Sequence, residues 1–170
     1  IKAHRATLRG VIATGRSVAK YGLSQPQRWI NPLFVVWNLT DRCDMNCQYC
    51  YQKCSEKVGD DELTLDQKIN LIDQFGRSYV AMVAFSGGKR TLSDDYEVCL
   101  ERCKRYDIHT TLATHGGHLT KEKCQRDAEL GLKYVEVSLD SVDADTHDKI
   151  RSSRGAWQRG IDAVKNVTAT

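Results

Sequence analysis

Leu33-Phe34-Val35-Val36-Trp37-Asn38-Leu39-Thr40, followed at once by Asp41-Arg42-Cys43-Asp44-Met45-Asn46-Cys47-Gln48-Tyr49-Cys50, decides how the rest of this 170-residue chain is read. Leu33 to Trp37 is an unbroken apolar run. It has the length of a buried strand and falls far short of the ~18 residues a membrane span needs. The polar stretch behind it holds three cysteines within eight residues, spaced C-x3-C-x2-C. Thiolates are soft ligands, and a compact set of them suits an iron–sulfur cluster. Three on one short loop would bind three irons of a four-iron cluster and leave the fourth iron open. A structural zinc usually wants two separated pairs of ligands. No second pair stands at that spacing, although Cys54 is close enough to keep zinc open by count.

Outward from this stretch, a strand–loop–helix unit repeats. Residues 64–76 read as a helix, with Thr64 as N-cap, an apolar stripe of Leu65, Ile69 and Ile72, and Gly76 to close it. Strands are expected over 79–85, 108–114 and 133–139. They lead into Ser86-Gly87-Gly88, His115-Gly116-Gly117 and Asp140. Helices are expected over 93–106, over 120–130 (ending at Gly131), near 144–150 and over 156–167. Four such units predict an α/β fold built on a parallel sheet, with its chemistry at the C-terminal strand ends. Four units do not close a barrel, so the sheet should be a partial (βα) barrel with an open edge after its fourth strand.

The composition is ordinary for a globular domain, with 41% hydrophobic and 28% charged residues, and the net charge of +3 is too small to argue for nucleic acid. The basic residues are unevenly placed. Lys2, Arg5, Arg9, Arg16, Lys20 and Arg28 all precede the first acid, Asp41. Leu8, Val11, Ile12 and Val18 fall at roughly helical spacing among them, so residues 1–32 read as a basic helical extension of a core over 33–170. That helix is expected to pack on the barrel with a solvated basic face. The alternative is a weak contact of residues 1–28 with anionic lipid or a partner. The first residues lack the continuous apolar core of a signal peptide, and a cytoplasmic setting is expected. The chain begins at Ile1 rather than Met, and it is expected to be the N-terminal part of something longer. Of the seven cysteines, Cys99, Cys103 and Cys124 read as small buried apolar residues.

C-x3-C-x2-C after a first strand, with Tyr49 before the last cysteine, resembles the radical SAM superfamily. Asn38-Leu39-Thr40-Asp41-Arg42-Cys43 is similar to that family's N-x-T-x-x-C lead-in, and Ser86-Gly87-Gly88 to its SAM-binding glycine motif. Ser138-Leu139-Asp140, with His147-Asp148 and Arg151, resembles the subgroup that carries SPASM or twitch extensions. The resemblance implies that Cys43, Cys47 and Cys50 hold a [4Fe–4S] cluster whose open iron chelates S-adenosylmethionine (SAM). It further implies reductive cleavage to a 5′-deoxyadenosyl radical and hydrogen abstraction from a peptide, a tetrapyrrole or another cofactor precursor. An electron donor such as ferredoxin or flavodoxin would be needed. Tyr49, Ser86, Gly87, Gly88, Lys89, Thr114, His115, Ser138, Asp140 and Arg151 become the candidate cofactor-binding residues.

Two positions depart from the family pattern. Lys89-Arg90 stands where the family has Glu-Pro. A lysine has no acceptor for the SAM ammonium and would repel it by about 1–4 kcal/mol at ~4 Å. Lys89 could turn outward, the site could be weakened, or it could take an anion instead. His115 stands where the family often has asparagine. Two rivals remain: a non-catalytic domain that keeps its cluster for structure or electron transfer, and a zinc-binding interaction module.

Overall fold

The computed structural model describes residues 5–23, 28–54, 62–88 and 95–170. Helix α1 (Arg5–Tyr21) precedes strand β1 (Phe34–Thr40). There follow α2 (Leu65–Arg77), β2 (Met82–Gly87), α3 (Asp95–Arg105), β3 (His109–Thr114), α4 (Lys121–Leu130), β4 (Leu132–Val137), α5 (Ala144–Arg151) and α6 (Ala156–Thr168). The strands form one parallel sheet in the order β1-β2-β3-β4. The partial (βα) barrel expected from the repeat is therefore the fold observed, and β1 and β4 are its edges.

The helices start and stop for local reasons. Thr64 caps α2 through a capping box: its hydroxyl accepts from the Gln67 N–H, and the Gln67 side chain accepts from the Thr64 N–H at 2.9 Å. Gly131 ends α4 in the left-handed conformation at φ 112°, as a C-terminal glycine should. Gly76 does not close α2, which runs on to Arg77. A Cβ at position 76 would lie 2.3 Å from the Tyr106 ring, so the glycine makes room for an aromatic side chain. The second strand also begins later than expected, because Tyr79 takes a positive φ of 59° and turns the chain before Met82. Of the predicted helix over 93–106, residues 93 and 94 lie outside the described residues.

One face of the sheet carries the core. Trp37, Leu39, Val83, Phe85 and Leu112 point from it into α2, α3 and α4, where Ile72, Tyr96 and Leu100 are buried. Phe75, Trp37, Phe85 and Tyr96 make a continuous aromatic row with centroid spacings of 6.1, 6.0 and 5.8 Å. Cys99 and Cys103 are fully buried and Cys124 nearly so, as expected of apolar packing, and burial pushes the Cys99 thiol up to about 12. On the opposite face Phe34, Val36 and Tyr134 are 51%, 58% and 65% exposed. Alternation along each strand puts Asn38, Ser86, Ala113 and Ser138 on that same face, at its C-terminal end.

Helix α1 does not dock through its larger apolar residues Leu8 and Val11, and Ile12 and Val18 are only half-buried. Leu8 and Val11 are 57% and 62% exposed, whereas Ala13 and Ser17 are buried. The docking stripe is Arg9, Ala13 and Ser17, one residue every helical turn. Arg9 Nε donates to the Val80 carbonyl at 2.9 Å, Nη1 to Tyr106 at 2.7 Å and Nη2 to Gly76 at 2.8 Å. One guanidinium thus meets carbonyls at the C-terminal ends of two helices, α2 and α3. Arg5 pairs with Asp107, and Arg16 stands 5.3 Å over the Tyr79 ring. Of the cations on this helix only Arg9 is drawn into the body of the protein, while Arg5, Arg16 and Lys20 stay exposed, as the expected solvated face requires.

Candidate active site

The loop after β1 is held at both ends and in the middle. At its start, the Gly88 N–H donates to the Thr40 carbonyl at 2.8 Å. A Cβ at Gly87 would lie 2.6 Å from the Thr40 carbonyl oxygen, and one at Gly88 would lie 2.2 Å from that of Arg42. The sequence reading takes both glycines as room for a ligand. In the structure a side chain at Gly87 would meet the backbone of β1 and one at Gly88 that of the cysteine loop, and Gly87 also needs φ 112°. In the middle, Met45 is buried between exposed neighbours and anchors the x3 segment. Near its end, the Gln48 N–H donates to the Ile150 carbonyl at 3.1 Å, and the Gln48 side chain to the Lys149 carbonyl at 3.1 Å. These two bonds seat the loop on α5, a hundred residues further along.

Asp140, just past β4, organises that seat. Its carboxylate takes a forked pair from Arg151, 2.5 Å to Nε and 3.0 Å to Nη2, and the Tyr49 hydroxyl donates to it at 2.9 Å. The Asp140 N–H donates to Nδ1 of buried His147 at 3.1 Å. Burial works to raise the Asp140 carboxyl, but donation from Arg151 and Tyr49 outweighs it and holds the group below the usual range. Burial and the bond to Asp140 push the Tyr49 phenol up to about 12. Arg151 stacks 5.3 Å over the Tyr49 ring and points Nη1 at Cys47 Sγ, 3.9 Å away. Asp148, the other acid of the segment, accepts from the N–H groups of Gly155 and Trp157 and caps the start of α6.

Asp140→Asn is expected to lower unfolding free energy by about 1–3 kcal/mol, since it removes the anion of a charge-assisted fork. Tyr49→Phe should cost about 0.5–1.5 kcal/mol, the worth of one ordinary hydrogen bond. Urea titration of both variants checks the order; a larger loss in Tyr49→Phe would mean Asp140 is not the hub.

A cavity of about 190 Å³ lies between the cysteine loop and the strand ends. Cys43, Cys47, Cys50, Tyr49, Ser86, Gly87, Gly88, Thr114, His115, Ser138 and Arg151 line it, together with Cys54. Asp140 does not line it and acts through Arg151 and Tyr49. Lys89 lies outside the described residues. His115 turns inward: its ring is 9% exposed, Nε2 lies 3.2 Å from Asp44 Oδ1, and Nδ1 accepts from the Gly117 N–H at 3.2 Å. His118 Nε2 is 3.9 Å from the other Asp44 oxygen. Sequence reasoning missed Asp44, because its partner lies just past β3 and no local pattern links them. It also missed Gln48, whose partners are backbone carbonyls.

The thiols are not alike. Burial raises Cys43 above an ordinary thiol. Burial also acts upward on Cys50, but N–H groups of Cys54, Gln52 and Lys53 donate to it and hold it lower. Cys54 is pushed up to about 12 by burial and by the neighbouring Cys50. All seven cysteines are unpaired. Three partly buried thiols on one short loop, facing a shared cavity, fit the donor set of a four-iron cluster with one open iron.

Fe-coproporphyrin III synthase of Methanosarcina barkeri is 30% identical over 132 residues, which is 78% of this chain and 33% of that protein. Pre-heme d1 synthase of Dinoroseobacter shibae is 33% identical over 132 residues, 78% of this chain and 32% of that one. The chain thus spans about a third of the length of these relatives. SuiB of Streptococcus suis shares the fold with TM-score 0.71 in its structures bound to S-adenosylmethionine and to the precursor peptide SuiA. Identity to SuiB is 21%, over 95% of this chain and 37% of SuiB in the former structure. The family model for the Radical SAM superfamily matches residues 37–169, nearly everything from β1 onward, and the chain belongs to that superfamily.

Proposed function

We propose that this chain carries the cluster- and SAM-binding half of an enzyme that abstracts hydrogen from a peptide or a tetrapyrrole-type precursor. The observation that carries the reading is the convergence of Cys43, Cys47 and Cys50 with the ends of β2, β3 and β4 on one cavity. When bound, the cluster and SAM supply one-electron chemistry that ends in a hydrogen-atom transfer. The chain's own part is positional. The loop cysteines hold three irons, Arg151 sets the charge beside Cys47, and the backbone at Gly87–Gly88 fixes how near β2 comes to the loop. Ser86, Thr114, His115 and Ser138 present polar groups at the rim of the cavity, where SAM is expected to lie. The relatives' names support both substrate classes: two make tetrapyrroles, and SuiB is known with a peptide bound. A ferredoxin- or flavodoxin-like donor and a reducing, cytoplasmic setting complete the proposal, because the thiols must stay reduced to take up iron.

The test is anaerobic reconstitution followed by SAM and a strong reductant. Methionine and 5′-deoxyadenosine should form together. One observation favours a different metal: ligand atoms of Cys43, Asp44 and His115 all lie within 4.8 Å of one another, a set that suits a single divalent cation. Zinc retained in place of iron and sulfide would favour that reading, and a cluster without SAM cleavage would favour an electron carrier.

Replacing Lys89 with glutamate and Arg90 with proline should tighten SAM binding roughly tenfold or more. The exchange removes a like charge and adds an acceptor for the ammonium. Calorimetry on the cluster-loaded protein reads this directly. Equal affinities would show that position 89 does not meet the ammonium.

A further inference from the structure

Lys68 sits on α2 with its side chain 1% exposed. An ammonium at that depth must have its charge met. Nζ donates to Glu62 Oε1 at 2.9 Å and to Asp95 Oδ2 at 2.8 Å. The other Glu62 oxygen accepts from Thr40 Oγ1 at 2.6 Å. The same hydroxyl accepts from the Arg42 N–H at 3.1 Å, one residue before Cys43. The Thr40 carbonyl in turn holds the Gly88 N–H. Lys68 itself lies outside the wall of the cavity. Yet it is linked to the start of the cysteine loop, to Glu62 where the chain returns from that loop, and to the first residue of α3. For stability alone, an apolar side chain of similar volume would serve as well as a buried ion pair.

We propose that Lys68 is a positioning residue for SAM: through Glu62 and Thr40 it sets the spacing between the cysteine loop and the Gly87–Gly88 strand end. The inference rests on the radical SAM reading above. It assigns the threonine of the N-x-T-x-x-C lead-in a task, which is to pass the position of α2 to the residue before the first cysteine. Because the geometry of SAM depends on both loops at once, a small change in their spacing should weaken SAM more than it weakens the fold or the cluster.

The test compares the full chain with Lys68→Arg, Lys68→Met and the triple variant Lys68→Met, Glu62→Gln, Asp95→Asn. Lys68→Met alone leaves two carboxylates facing each other. The triple variant removes all three charges and keeps the packing. Four quantities are read: iron per chain after anaerobic reconstitution, urea midpoint, SAM Kd by calorimetry, and the change in the reduced cluster's EPR spectrum when SAM is added. The triple variant should keep its iron and its midpoint, lose at least about tenfold in SAM affinity, and show a diminished EPR response. Lys68→Arg should recover part of both losses. Wild-type SAM affinity and EPR response in the triple variant would overturn the proposal. So would a triple variant that fails to fold, since Lys68 would then be a structural residue. A wild-type chain that takes up neither iron nor SAM would instead overturn the radical SAM reading, and this inference with it.

Discussion

Anaerobic reconstitution of Cys47→Ala protein is expected to leave almost no iron, where the unaltered chain takes up about four irons. Cys43→Ala and Cys50→Ala should behave alike. Two thiolates cannot hold a four-iron cluster on a loop this short, and the remaining thiol nearby is a poor substitute. Cys54 lines the same cavity but stands outside the C-x3-C-x2-C spacing, and burial with the neighbouring Cys50 pushes its thiol up to about 12. Cys54→Ala should therefore keep full loading. The comparison is sharp because the four thiols share one cavity and only three of them stand in the C-x3-C-x2-C spacing. Iron and sulfide analysis reads the result, and full loading of Cys47→Ala would sink the ligand assignment.

Arg9→Met should lower unfolding free energy by about 2–4 kcal/mol. Methionine keeps most of the side-chain volume and removes every donor. The carbonyls of Val80, Tyr106 and Gly76 would then lose charge-assisted partners worth about 1.5–3 kcal/mol each in favourable cases. Those of Tyr106 and Gly76 lie at helix ends, where a nearby cation adds a further few tenths. Local relaxation and water would recover part of the sum. In urea the midpoint should fall by roughly 1–2 M, given a slope of about 1–3 kcal/mol per molar. Arg5→Ala is the control, since its pair with Asp107 is 75% and 43% exposed and should be worth less than about 1 kcal/mol. Equal losses in the two variants would mean that the junction of three carbonyls at Arg9 does not hold α1.

Most of the architecture could be read from the sequence because its signals are local. Apolar runs bounded by polar and turn residues located β1 and β3 to within a residue, and Thr64 and Gly131 marked helix ends through capping chemistry that needs no distant partner. Gly76 misled for a physical reason: its lack of a side chain serves the Tyr106 ring thirty residues away rather than its own backbone. Of the stripe Leu8, Val11, Ile12 and Val18, the first two misled, because Ala13, Ser17 and one arginine make the docking face of α1. In the site, the cysteines and strand-end loops were visible as motifs, and the structure brings them to one cavity. The hub role of Asp140, the inward turn of His115 toward Asp44 and the buried charge of Lys68 depend on contacts between elements, and periodicity carries no trace of such contacts.

The contact between Gly88 and the Arg42 carbonyl reaches beyond this molecule. Anyone who wished to transplant the eight-residue cysteine segment into a peptide or another scaffold would need more than those eight residues. One flank is moulded against a glycine turn some forty-five positions later. The other hangs from carbonyls of α5 a hundred positions later. A short peptide with the same spacing would have the ligands without their mould. It should assemble clusters readily but hold them in many shapes, with no fixed direction for the open iron. The spacing is portable, whereas the orientation belongs to three separate stretches of chain that must be moved together.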